Sequence, residues 1–484
     1  MSIYILPIIV IYALASTLLL IYGINAYVLI YYSIKSWKDW KRSCKDLASY
    51  DVIPRVTIQL PIYNERNVAA RVIHAAAKLQ YPRDKLEIQV LDDSNDETRE
   101  IIDKTAGELS RAGIDVNVLR RADRKGYKAG ALAEGTKTAK GEYLAVFDAD
   151  FVPEPDFLLK AMPPFLEDDK IAFVQARWGH INRDENILTM CQSLGIDGHF
   201  LVEQPARAHA GFFMNFNGTA GIWKKEAIED VGGWSDRTLT EDLDLSYRVQ
   251  LAGWKPYFME DVVVPAEVPA TMAGAKSQQF RWAKGSIQTA VLMLPKIWRR
   301  DYSLLTKMEA ALHLTNYGVH PMMLTLAILA YPILQFNLVK MSPYFFAVIA
   351  LPLIAATLGP STMYTIATLR NQERKNVSLL WLPFLVIYGT GIAISNSIAV
   401  FEAVVGKASS FIRTPKKGSR IQSGYKLNRS KLWLFEISLG LYSFGSISAS
   451  IMGENYGVLP FLMIFAFGFV TVGIRTFMGI ARDA

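Results

Sequence analysis

The chain of 484 residues is long enough for two or three ordinary domains. Its hydrophobic content of 51% and mean hydropathy of +0.17 exclude an ordinary water-soluble enzyme. The formal net charge of +7 does not call for a nucleic-acid partner, because the basic residues gather beside the apolar runs, where an anionic lipid surface accounts for them.

In chain order, residues 3–32 carry no charged side chain. The run is too long for a signal-peptide core and lacks a basic leader, so a retained transmembrane helix over 1–34 is expected. Lys35, Lys38, Lys41, Arg42 and Lys45 follow in "SIKSWKDWKRSCK" and place the next domain, 35–300, in the cytoplasm. Cys44 and Cys191 have neither metal-ligand nor disulfide spacing and are expected to stay reduced.

The segments "RVTIQLPIYNE" (55–65), "LEIQVLDDS" (86–94), "IDVNVLRR" (114–121) and "GEYLAVFDAD" (141–150) are apolar, β-branched runs that end in polar residues. Between them, "RNVAARVIHAAAKL" (66–79) and "KAGALAEGTKTA" (128–139) have helical patterning. Strands alternating with helices imply an α/β domain with a mostly parallel, covered sheet. Ligands of such sheets collect beyond the carboxyl ends of the strands. Here those ends carry Tyr63-Asn64-Glu65, Asp92-Asp93 and Asp148-Ala149-Asp150. No GxGxxG or GxxxxGK[ST] follows a strand, which speaks against a dinucleotide fold or a P-loop.

Asp148 and Asp150 stand at i and i+2 on an extended chain, so both carboxylates can approach one divalent cation. Hard oxygen ligands suit Mg²⁺ or Mn²⁺, shared with phosphate oxygens. "RRADRKGYKAGAL" (120–132) sets Arg120, Arg121, Arg124, Lys125 and Lys128 at a helix start, a natural diphosphate environment. "LTEDLDLSYR" (239–248) puts Glu241, Asp242 and Asp244 in a first helical turn, with Thr240 expected to cap it. "QQFRW" (278–282) then gathers an amide, a guanidinium and an indole just before the chain turns apolar.

In this order, "LDDSND", "GYKAGAL", "FDADF", "FNGTAGIW", "TEDLDL", "QQFRW" and "FIRTPK" make the chain resemble the membrane-embedded synthases of glycosyltransferase family 2. The likeness runs from about residue 50 to 430 and takes in the flanking apolar segments. "FNGTAGIW" and "GYKAGAL" look most like the plant mannan and xyloglucan-backbone glucan synthases and their prokaryotic relatives. Bacterial cellulose synthases are similar in plan but differ at Phe216-Asn217-Gly218-Thr219. Their cyclic-dinucleotide-binding domain has no counterpart among these motifs, so direct cyclic-di-GMP control is not expected.

The resemblance implies a nucleotide-diphospho-sugar transferase (GT-A type) domain that performs inverting, metal-dependent hexosyl transfer. The donor would be UDP-glucose or GDP-mannose. The acceptor would be a growing β-linked polysaccharide, with or without coupled translocation, or alternatively a membrane lipid that takes one or a few sugars. It implies Asp242 as general base, and Asp148 and Asp150 as ligands of Mg²⁺ or Mn²⁺. Tyr63, Glu65, Asp92, Asp93, Lys128 and Asp148 would bind the donor nucleotide. Gln278, Arg281, Trp282, Asn217, Thr219 and Glu241 would hold diphosphate and acceptor. Phe411, Arg413, Thr414 and Lys416 match a gating loop that would fold over bound nucleotide.

Further apolar runs occupy 314–339, 341–369, 376–401, 437–453 and 455–474. If all five crossed the membrane, the basic loop 405–431 would lie outside, against the charge rule. An interfacial or re-entrant helix over 376–404 removes the conflict and leaves about five spans. Its second half, with Ser395, Asn396, Ser397 and Glu402, is expected to lie amphipathically in the interface. The expected order is therefore an interface helix, two spans and this helix over 301–404, the cytoplasmic loop 405–431, and two spans with a short tail over 432–484. The host membrane would be the plasma membrane, or the Golgi membrane in a eukaryote.

Overall fold

The computed structural model describes residues 5–39, 45–336, 343–371, 379–408 and 431–482. The four apolar runs between 55 and 150 form strands β1 (Val56–Ile62), β2 (Leu86–Asp92), β3 (Val116–Leu119) and β4 (Tyr143–Val146). β5 (Ile171–His180), β6 (Gly221–Lys224) and β7 (Lys255–Ala266) extend the same sheet to seven strands, in the order β3-β2-β1-β4-β6-β5-β7. Only β6 runs against its neighbours; the β1–β2, β1–β4, β2–β3 and β5–β7 pairs are parallel. The central strands are buried almost throughout, as continuous apolar runs covered on both faces require.

Buried polar side chains help to set the register. Thr57 lies opposite Glu87 and Gln59 opposite Gln89. The Thr57 hydroxyl donates to Glu87 at 2.7 Å, and the Gln59 amide donates to Gln89 at 3.0 Å. Glu87 also accepts from Asn117 and from the Lys140 backbone N–H. Partners of this kind keep buried polar atoms from costing stability. With Ile62 level with Asp92 and Gln59 level with Val146, the residues after β1, β2 and β4 emerge at one edge of the sheet.

Among the described residues, four helical stretches are long and apolar enough to cross a membrane: Leu6–Lys35, Asn316–Gln335, Leu432–Met452 and Tyr456–Gly479. The helix Pro343–Arg370 packs along the first of these through small residues. A Cβ added at Gly359 would collide with the Gly23 carbonyl oxygen, and one at Gly23 would sit 2.6 Å from that of Ala355. Such close backbone approach is how helices associate where lipid supplies no hydrophobic drive.

Residues 382–404 form two helices, Leu382–Gly391 and Ala393–Val404, bent by 48° at the break, as in a broken span or a re-entrant loop. The polar residues of the second helix, expected to lie amphipathically in the interface, meet protein partners. Asn396 is fully buried and donates to His320 at 2.9 Å, and Glu402 pairs with the buried Lys284. The face is polar because it packs on polar protein.

Replacing Gly359 with Leu forces the first helix away from Pro343–Arg370. We expect a loss of about 1–3 kcal/mol, seen as a lower thermal unfolding midpoint in detergent; an unchanged midpoint would show that the contact carries no stability.

Candidate active site

The edge where β1, β2 and β4 end forms one wall of an open cleft. Tyr63 and Glu65 follow β1, Asp93 follows β2, and Asp148 and Asp150 follow β4; all five line the cleft. Lys128, Asn217, Glu241, Asp242, Gln278, Arg281 and Trp282 complete that set from four other segments. Residues as far apart in sequence as Tyr63 and Trp282 thus meet in one space, which none of the motifs could show alone.

Two expected members are elsewhere. Asp92 is 2% exposed and lies beneath the cleft, accepting from Arg120 Nε at 2.8 Å and from the Ser94 backbone N–H at 2.9 Å. Asp92 and Asp93 are successive residues at a strand end, so only one can face the ligand edge. Thr219 is fully buried, and its hydroxyl accepts the Asp148 backbone N–H at 2.8 Å. It fixes the DxD turn from behind. Phe411, Arg413, Thr414 and Lys416 lie outside the described residues.

Lys128 stands at the centre. Its ammonium is paired with Asp148, donates to the Gly218 carbonyl oxygen at 2.8 Å, and lies 4.0 Å from Glu241. Burial works against the ammonium, but Asp148, Glu241 and Asp242 outweigh it and raise its pKa above the ordinary lysine value. Burial lowers the Arg281 guanidinium, while Glu241, Asp148, Asp242 and Asp150 pull it back upward.

Glu241 and Asp242 open the helix Glu241–Leu251. Burial, and then the neighbouring Glu241, push Asp242 up to about 7, against the opposing pull of Lys128 and two backbone N–H groups. The third acid of this turn is different: Asp244 is fully buried and paired with Arg248 at 2.7 Å and Arg237 at 3.2 Å. It holds the helix and stays out of the cleft. Nor does Thr240 cap that helix as expected. Its hydroxyl is buried without a hydrogen bond among the described residues, pressed toward Gly285, where an added Cβ would lie 2.5 Å from it.

The loop between Phe213 and β6 reaches Asp242 only because residue 218 is glycine. Its φ is +78°, and an added Cβ would lie 3.0 Å from an Asp242 carboxylate oxygen. The helix Met272–Trp298 brings Gln278, Arg281 and Trp282, at i, i+3 and i+4, onto one face. Trp282 meets Trp178 at 6.4 Å between ring centroids, and Phe151 stands 5.2 Å beyond Trp178, giving the cleft an aromatic side.

Sequence reading passed over Trp178, His180 and Glu267, which also line the cleft. A signal was present: Trp178 and His180 alternate at the end of the apolar strand "IAFVQARWGH", where a ligand edge is expected. Of the basic run, Arg120 pairs with Asp92 and Asp103, and Arg121 with Asp93. Arg124 lies 3.4 Å over the Tyr63 ring inside the cleft.

No three histidine, cysteine or acidic side chains among the described residues are grouped to hold a metal by themselves. Asp148 and Asp150 nevertheless suit a hard cation shared with phosphate. Seven carboxylates line the cleft against Arg124, Lys128 and Arg281. A diphosphate entering so negative a site gains from an accompanying divalent cation.

Residues 54–285 match the family model described as glycosyltransferase like family 2. The chain is similar to a probable glucomannan 4-beta-mannosyltransferase 7 of Oryza sativa subsp. japonica, 37% identical over 72% of this chain and 60% of that protein. It therefore spans about 60% of that relative's length. It is also similar to glucomannan 4-beta-mannosyltransferase 2 of Arabidopsis thaliana, 35% identical over 76% of this chain and 68% of the relative. In fold it resembles the mannosyltransferase PcManGT from Pyrobaculum calidifontis, solved with GDP-Man and Mn²⁺. The TM-score is 0.56 at 21% identity, covering 82% of this chain and all of that one. The chain belongs to glycosyltransferase family 2, as a membrane synthase of its mannan-synthase-like branch.

Proposed function

We propose that this glycosyltransferase takes mannose from GDP-mannose and adds it, with inversion, to a growing β-linked mannan or glucomannan, its catalytic domain facing the cytoplasm. The plant relatives named for glucomannan synthesis and the PcManGT neighbour with its GDP-Man support the sugar and the nucleotide. The basic segments beside the apolar runs support the orientation. One observation carries the chemistry: Asp242, with its raised pKa, faces Lys128, Arg281 and the Asp148/Asp150 pair across one cleft lined by Trp282.

In this reading the acceptor hydroxyl oxygen attacks the anomeric carbon as the bond from that carbon to the diphosphate oxygen breaks. Asp242 receives the hydroxyl proton. Arg281 and Lys128 hold the phosphate oxygens on which negative charge grows. Trp282 and Trp178 offer flat apolar faces to the acceptor sugar, and Gln278 bonds its hydroxyls. Asp148 and Asp150 would hold Mg²⁺ or Mn²⁺, which when bound supplies further neutralisation of the leaving diphosphate.

Purified protein in lipid, given labelled GDP-mannose or UDP-glucose, tests the reading. The expected product is a β-mannanase-sensitive polymer made from GDP-mannose; a single-sugar lipid product, or transfer from UDP-glucose alone, would contradict it. Asp242→Asn should lower transfer by about 10²- to 10⁴-fold with GDP-mannose affinity retained, and an Asn enzyme of normal rate would remove the base from this residue. Chelation by EDTA should abolish transfer, with recovery on adding Mn²⁺ or Mg²⁺; full activity in EDTA would rule out the cation.

The base works only when deprotonated, so kcat/KM should rise with pH and level off above about 7. Glu241→Gln removes the like charge that raises Asp242, and should move this acid limb to lower pH. A limb that stays in place would mean that another group titrates there.

A further inference from the structure

Of the polar side chains in the FNGTAG loop, Asn217 reaches the cleft and Thr219 does not. The orientation of the Asn217 amide follows from a chain of contacts that starts at a backbone carbonyl. The Asn215 carbonyl oxygen can only accept, so the group facing it at 2.8 Å is the NH₂ end of Gln204. The same Gln204 nitrogen donates to Asn217 Oδ1 at 2.7 Å. Asn217 Nδ2 is thereby turned to His199 Nε2 at 3.0 Å. An amide nitrogen only donates, so Nε2 carries no proton and the imidazole proton sits on Nδ1. That proton is donated to Glu203 Oε2 at 2.8 Å.

His199 and Glu203 are placed for this by the π-helical turn His199–Glu203, inserted between the helices Ile187–Gly198 and Gln204–Ala210. Such turns often mark functional positions. Burial would raise the Glu203 carboxyl, but the hydrogen bond from His199, with the Arg207 charge behind, holds it below the ordinary value. The loop backbone is secured independently. The Asn217 N–H donates to Gln175 Oε1 and the Phe216 N–H to Ser246 Oγ, both at 2.8 Å. His199 therefore governs the direction of the Asn217 side chain without carrying the loop.

We propose that His199 and Glu203 are positioning residues for the acceptor: they fix the Asn217 amide so that its second N–H serves a hydroxyl oxygen of the acceptor sugar next to Asp242. The inference rests on the cleft being a glycosyl-transfer site. Its chemical sense lies in the neighbours. Gly218 adjoins Asp242, and Glu241 and Asp148 are close by, so on this side of the cleft carboxylates, which only accept, crowd the proposed acceptor position, while Lys128 is taken up by Asp148 and the Gly218 carbonyl oxygen. A sugar that gives one hydroxyl proton to Asp242 needs a donor for the oxygen beside it. A flipped Asn217 would offer another acceptor and lose both Gln204 and His199.

The test uses the full chain in lipid nanodiscs, with saturating GDP-mannose and mannotetraose as the acceptor probe. His199→Ala should raise the mannotetraose KM roughly tenfold, the worth of one lost hydrogen bond, with the GDP-mannose KM unchanged. Asn217→Asp should do the same, and the double variant should be no worse than either single one, as members of one chain require. His199→Gln keeps an oxygen to accept from Asn217 and an N–H toward Glu203, so it should remain within about twofold of wild type. An unchanged acceptor KM in His199→Ala overturns the proposal. Where the Ala protein fails to fold, a folded Gln variant as impaired as Asn217→Asp overturns it equally. Wild-type protein that transfers nothing to any acceptor defeats the glycosyl-transfer reading instead, so the two failures are distinguishable.

Discussion

Two buried ion pairs fix the helix Met272–Trp298 between the sheet domain and the apolar helices. Lys284 is completely buried and pairs with Glu402 at 2.9 Å; Lys276, two turns earlier, pairs with Glu436 at the start of the Leu432–Met452 helix. A buried ammonium left without its carboxylate would cost about 3–5 kcal/mol, so each pair strongly disfavours any other placement. The opposite side of the same helix presents Gln278, Arg281 and Trp282 to the cleft, and its backbone at Gly285 touches Thr240. Gln279, between the two faces, accepts from the Tyr317 hydroxyl near the start of the next apolar helix. QQFRW stands at the doorstep of the membrane because one helix is read from both sides. The apolar helices set where it lies, and the turn that carries Glu241 and Asp242 is set against it.

The sheet was legible because its strands are continuous apolar runs with polar ends, a pattern that backbone burial alone produces. The cleft was legible because acids close three parallel strands at one edge. What escaped was direction. "DD" cannot tell which carboxylate faces the ligand, and Arg120 claims Asp92 from below. Thr240 looks like a helix cap by type and place, but Gly285 packs against it. The polar side of Ala393–Val404 gave a face without naming its partners, which His320 and Lys284 supply from distant segments. Trp178 and His180 come from a strand whose partners β6 and β7 lie up to about ninety residues away, so no local pattern could bring them to Trp282.

Charge explains why these parts must sit so close. Asp148, Glu241 and Asp242 would repel one another in a confined space, and Lys128, with Arg281, answers the charge of all three. Its bond to the Gly218 carbonyl oxygen ties that cation to the loop beside Asp242. The DxD strand end, the helix start that carries the proposed base, and the Gly218 loop are therefore joined through one ammonium. A Cβ at position 218 would stand 3.0 Å from an Asp242 carboxylate oxygen, so that carboxylate would have to give way. A left-handed backbone and lack of space both demand glycine there. The same residue thus sets the backbone path, the closeness of this loop to Asp242 and, through its carbonyl oxygen, the seat of the Lys128 ammonium, three properties that a larger residue could not supply together.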